Sequence, residues 1–115
     1  MRTFGEVLAH VAATQYYFCA AALRERDPAP ADLERTRTSK AAALESLRGS
    51  FAFCDRAYSL SDTVVVTPVA TPGGGSRAPL SLFVLNIGHD NAHHGNLVTC
   101  LRLRGRVPPS SRPSP

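Results

Sequence analysis

The residues best suited to chemistry gather in one stretch, His89-Asp90-Asn91-Ala92-His93-His94. On a helix, at about 100° per residue, His89 and His93 stand about 40° apart on one face. Paired histidines at i and i+4 can converge on one ion from a single helix, as they do in zinc sites. His94 points about 100° away from His93, beside Ile87 and Leu101, and is a poor third ligand from the same turn. Leu82, Asn86, Asn96 and Cys100 flank the His89–His93 face. The same spacing also suits two polar side chains that are merely satisfied on an apolar helix, because leaving them unpaired on burial is costly.

A metal needs a further ligand from elsewhere. The remaining histidine, His10, lies near Val7 at the edge of the apolar face of the first helix. A lone histidine there is ordinarily a satisfied core residue. If the first and last long helices pack together, it joins the pair in a three-nitrogen site with open positions, the catalytic rather than the closed structural pattern. Other chemistries fit less well. Read as a variant of the HExxH protease helix, His89 to His93 has a short Asp90 in place of the glutamate base and no downstream ligand. There is no GxSxG and no dinucleotide fingerprint. Cys100 is two helical turns from His93, too far for a direct hydrogen bond. Gly73-Gly74-Gly75 is not followed by the lysine and hydroxyl of a phosphate loop, and reads as a flexible connection.

Three long helices must position these groups. Thr3 and Glu6 form a capping box, and Phe4, Val7, Leu8, Val11, Phe18 and Ala22 follow at helical spacing, to a stop near Arg24 before Pro28 and Pro30. Residues 25–37 read as an irregular connection. A second helix starts near Thr38 or Ser39, carries Ala41, Leu44, Leu47, Phe51, Cys54 and Tyr58 on one stripe, and ends near Leu60. Residues 61–78 read as a loop, with Val64-Val65-Val66 as a short extended stretch. The third helix opens on Pro79, runs to about Arg104 and stops at Gly105. It is apolar nearly all round, which predicts the most buried helix of the three. Residues 1–107 form the domain, and the Pro/Ser-rich 108–115 reads as a disordered tail.

At 115 residues the chain holds one domain, and its 43% hydrophobic and 19% charged content is that of an ordinary globular protein. No apolar run approaches the roughly 18 residues of a membrane span, and Met1 to His10 has no h-region of a secretory signal. The expected location is cytoplasmic. Cys19, Cys54 and Cys100 are odd in number and far apart, which argues against a disulfide framework and predicts small buried hydrophobes. The net charge of +4 is drawn largely from Arg102, Arg104, Arg106 and Arg112 near the C-terminus. Without interleaved aromatics it makes no nucleic-acid stripe, and no nucleic-acid or membrane partner is expected.

Two stretches resemble a known family. Phe4 to Ala12 with Gln15-Tyr16-Tyr17-Phe18-Cys19 is similar to the second helix of DinB-like proteins, and His89 to Thr99 is similar to their last helix. Leu101 to Ser111 resembles the family's usual ending. The family is the DNA-damage-inducible, YfiT-like superfamily of metal-binding four-helix bundles. The resemblance implies an all-α, up-down helical bundle in which His10, His89 and His93 hold a divalent metal. Zinc is the first expectation, with nickel, iron or manganese as alternatives. His94 stands where relatives often carry tyrosine, beside the site. The family's first helix has no counterpart here, since Met1 falls on the cap of the His10 helix. The uncovered apolar face then predicts a homodimer. The implied activity is a metal-dependent thiol S-transferase or hydrolase acting on a small molecule or a low-molecular-weight thiol. The alternative is a non-enzymatic metal-binding bundle serving stress response or interaction.

Overall fold

The computed structural model describes all 115 residues. Three long helices, α1 (Phe4–Leu23), α3 (Lys40–Tyr58) and α5 (Pro79–Leu103), carry the fold, with one-turn helices α2 (Leu33–Thr36) and α4 (Asp62–Val65) between them. The capping box is present: Thr3 Oγ1 accepts from the Glu6 N–H at 3.3 Å, and Glu6 Oε2 accepts from the Thr3 N–H at 2.6 Å. Ser39 caps α3, Pro79 opens α5, and Gly105 takes a φ of 68° just past its end. These termini lie within two residues of where the sequence puts them, because caps are local chemistry.

Helix α1 is the centre of the bundle and packs against both α3 and α5. Small residues dominate the buried positions of the two helices, Ala9, Ala12, Cys19, Ala20 and Ala22 on α1 and Ala43, Ser50, Cys54 and Ala57 on α3, and Tyr16 packs beside Gly49 and Phe53 across the contact. Paired positions keep a constant offset of 35, as in Gln15–Ser50 and Cys19–Cys54, so the two helices run parallel, and the expected up-down alternation of successive long helices does not hold between them. Helix α5 runs the other way, with His89 beside His10 near its middle and Phe83 packed with Ala21 and Ala22. A parallel pair imposes a long return. The chain must travel back along most of α1, about 30 Å at 1.5 Å per residue, and residues 24–39 make that journey. Leu33 of α2 pins the return by packing on Ala9 and Ala12.

Several expectations change. Helix α5 buries only Pro79, Leu82, Phe83 and Asn86, whereas α1 buries nine residues, so α1 and not α5 is the most buried helix. An apolar surface all round buries only the side that finds a partner. On α3 the expected stripe holds only in part: Ala41, Leu44, Phe51 and Tyr58 are exposed, Leu47 is half-buried and Cys54 is buried, with Ala43, Ser50 and Ala57 as the other buried residues. Leu80, Val84 and Ile87 of α5 are exposed as well. Gly49, a weak point for helix propensity, sits where a Cβ would collide with the Tyr16 hydroxyl.

The loop from 61 to 78 is more ordered than a flexible connection. Val64 and Val65 lie in the α4 turn capped by Ser61, not in a strand, because the Ser61 side chain accepts from the Val64 N–H. Val69–Ala70 and Ser76–Arg77 pair as a short antiparallel hairpin, with Gly74 and Gly75 supplying positive φ at its turn. Val69 is buried against Cys19 and Phe83 in the core. In the tail, Pro108 is buried, Pro109–Ser111 form a 3₁₀ turn, and Arg102 donates to Ser111 Oγ at 2.8 Å.

Cys19 and Cys54 form a disulfide between α1 and α3, with Cα atoms 5.3 Å apart, and only Cys100 is a free thiol, exposed. This corrects the reading of three buried, unpaired cysteines. The small-residue contact draws the two backbones within bridging distance, a closeness that residue spacing does not encode. Thiol titration of the denatured, unreduced protein is expected to count one thiol per chain; three would show the bond is absent. Closing a loop across a sequence separation of 35 stabilises by about 2–4 kcal/mol. Urea unfolding should therefore show the reduced protein, or the Cys19→Ala/Cys54→Ala variant, weaker by that amount.

Candidate metal centre

His10 lies mid-way along α1, and His89 and His93 lie on one face of α5 one turn apart. Antiparallel packing of α1 on α5 brings the three together. Nε2 of His10 is 2.9 Å from Nε2 of His89. The ring centroids are 4.8 Å apart for His10–His89, 4.9 Å for His10–His93 and 4.4 Å for His89–His93. One ligand-capable atom from each ring falls within 4.8 Å of the other two. All three residues are partly buried, whereas His94 is exposed and outside the group.

The three rings are grouped closely enough to hold one metal ion. Nitrogens bound tetrahedrally to zinc at 2.0–2.1 Å stand roughly 3.3 Å apart, so the 2.9 Å separation of His10 and His89 needs only tenths of an ångström of adjustment. Two ring nitrogens that face each other cannot both offer lone pairs without a cation or a proton between them. Burial, followed by repulsion from the neighbouring rings, pushes the His89 and His93 pKa values below the ordinary range, so both are neutral, ligand-ready imidazoles at pH 7. Nδ1 of His89 is buried and has no hydrogen-bond partner. Asp90 Oδ1, likewise buried and unpartnered, is 3.9 Å away, within a short ring movement of receiving its proton. Burial pushes the Asp90 carboxyl up to about 6.

Other polar neighbours surround the rings. The Asn96 amide lies 3.2 Å from Nδ1 of His93, and Asn86 donates to the Tyr58 hydroxyl at 3.0 Å, tying α5 to α3 one turn before His89. Leu82 is in the core and Cys100 is on the surface, neither in the histidine cluster. A cleft of about 590 Å³ opens beside the cluster, lined by Tyr17, Phe18, Leu33, Glu34 and His89 among others.

Sequence reasoning missed Glu34. Its Oε1 is 2.7 Å from Nδ1 of His10, and its Oε2 accepts from Arg2 at 3.3 Å. Burial opposes its ionisation, but the hydrogen bond to His10 and the Arg2 guanidinium outweigh it and hold the carboxyl below its ordinary value. Glu34 is one charge among many in a stretch that reads as an irregular connection, and no local pattern distinguishes it.

No helix is long and apolar enough to cross a membrane. No curated protein and no solved structure matches the chain. The sequence profile of the DinB superfamily matches residues 1–97, which takes in the α1 cap, His10 and the histidine pair of α5. The match covers most of the chain and all three clustered histidines, and the chain belongs to the DinB superfamily.

Proposed function

We propose that the chain is a divalent-metal protein, with zinc as the favoured ion, in which His10, His89 and His93 are the ligands and the adjoining cleft admits a small-molecule substrate or a low-molecular-weight thiol. The observation that carries this reading is the convergence of three partly buried imidazoles from two helices on one point. The activity it supports is metal-dependent hydrolysis or thiol transfer. A divalent ion in this position supplies a Lewis-acid centre that lowers the pKa of a water or thiol toward neutrality.

The chain's own part is to hold and shape. Two ligands one turn apart on α5 have a fixed spacing, and α1 closes the third side. Three neutral nitrogens leave the charge of the ion undiminished and leave room for at least one further ligand, as in catalytic rather than structural sites. The cleft lies on the α2 side of the cluster, with Tyr17, Phe18 and Leu33 giving an apolar wall and His89 at its edge. A substrate entering there meets the cluster at His89, with Glu34 beside it.

Elemental analysis of untagged protein is expected to find one divalent ion per chain. His10→Ala, His89→Ala and His93→Ala should each lose it, while His94→Ala keeps it. Loss in His94→Ala with retention in His10→Ala would overturn the ligand set.

Acid should release the metal. Protons compete for the ring nitrogens, and the lowered pKa values of His89 and His93 keep the ligands free at neutrality. Retention is expected at pH 7 and loss below about pH 6, with more than one proton taken up per ion released.

Cobalt-loaded protein titrated with a small thiol should develop a sulfur-to-metal charge-transfer band in the near ultraviolet. The band should be absent in His89→Ala. An unchanged spectrum at saturating thiol would remove thiol transfer and favour the metal-holding module without turnover.

A further inference from the structure

We infer that Glu34 is a positioning residue for His10: its carboxylate holds the proton on Nδ1, so that the Nε2 lone pair is presented to the point where the three histidines converge. The inference rests on the reading of His10, His89 and His93 as a ligand set and extends it to a fourth residue from a different element.

The geometry is specific. A carboxylate has no proton to give near neutral pH, so across the 2.7 Å contact the ring must donate from Nδ1 to Glu34 Oε1. A neutral imidazole carries one proton, and placing it on Nδ1 strips it from Nε2. That nitrogen is the one 2.9 Å from Nε2 of His89. In metal sites, a carboxylate on the far nitrogen of a ligating histidine fixes its tautomer and ring angle and raises its basicity. The contact is partly shielded, with the His10 side chain 18% exposed and that of Glu34 37%.

The position of Glu34 follows from the fold. The parallel α1–α3 pair sends the chain back along α1, and Leu33 plugs into Ala9 and Ala12 beside His10. Glu34, the next residue, is set at the ring by that plug. Its second oxygen accepts from Arg2, which steadies the carboxylate and leaves Oε1 to His10. Neither His89 nor His93 has a carboxylate within hydrogen-bond distance; the Asp90 carboxylate is 3.9 Å from His89 Nδ1. His10 is thus the ring of the three with a carboxylate on its far nitrogen.

Two measurements on the full chain test this. Long-range proton–nitrogen correlation spectra of the metal-free protein, taken at about pH 8 above the ordinary histidine range, report the tautomer of each ring. His10 is expected as Nδ1–H in the wild type and as Nε2–H in Glu34→Ala. Chelator competition then reports zinc affinity: Glu34→Ala should bind about 10–100-fold more weakly than wild type. Glu34→Gln, whose amide oxygen still accepts from Nδ1–H without the charge, should keep the tautomer and fall between the two. A merely structural contact would lower the melting temperature and move neither the tautomer nor the zinc affinity. The inference is overturned if His10 is Nε2–H in the wild type, or if folded Glu34→Ala binds zinc as tightly as wild type. A wild type that binds no zinc, yet shows the Glu34-dependent tautomer, would instead sink the ligand-set reading and leave the orienting role of Glu34 in place.

Discussion

The parallel contact between α1 and α3 is the constraint from which the rest of this structure follows. It is built from alanines, serine and cysteine, so the backbones approach closely and van der Waals contact replaces interdigitation of large side chains. Gln15 crosses the same contact to donate to Ser50 Oγ at 3.2 Å, and the Ser50 hydroxyl donates to the Leu47 carbonyl at 2.8 Å. A buried amide partnered only from the other helix favours a single register, because sliding would leave it unpaired. The Cys19–Cys54 bond closes the same seam near its end.

A parallel pair cannot be joined by a tight turn. The return over residues 24–39 is therefore long, and it lies along α1 on the side where His10 projects. An irregular segment needs anchors to stay in place, and this one has three: Leu33 in the Ala9–Ala12 notch, Glu34 on His10 and Arg2, and Arg56 paired with Glu25 at its start. The exposed ion pairs add little energy individually. The buried leucine does most of the anchoring, and it forms one wall of the cleft beside the histidines. The crossover thus wraps the bundle and walls the candidate site at once.

At the histidine cluster the electrostatics run toward cation binding. Desolvation and mutual repulsion keep protons off His89 and His93, while a carboxylate below its ordinary pKa sits behind His10. The three rings share one small volume and cannot all be charged there without strong repulsion. Neutral rings with converging nitrogens form a group that can hold a metal ion. On α3 the large apolar side chains Leu44, Phe51 and Tyr58 are exposed while Ala43, Cys54 and Ala57 are buried, the reverse of what side-chain size alone suggests.

Much of this protein was legible in its residues. Helix ends were readable because Thr3, Glu6, Ser39, Pro79 and Gly105 act on the backbone within a turn of themselves. The His89–His93 pair was readable because the helical repeat is fixed, and the exclusion of His94 follows from the same angle. The resemblance to the DinB family brought in His10, which spacing alone left as an edge-of-core residue. What remained hidden depends on which surfaces meet. The direction of α3 relative to α1, the burial of small rather than large residues on α3, and the Cys19–Cys54 bond are properties of a contact between distant segments. Glu34 belongs to the same class: its role exists only because the return chain lies against α1 at His10. Local chemistry is written in adjacent residues, whereas a packing register is settled by the whole bundle at once, and only the tertiary structure decides it.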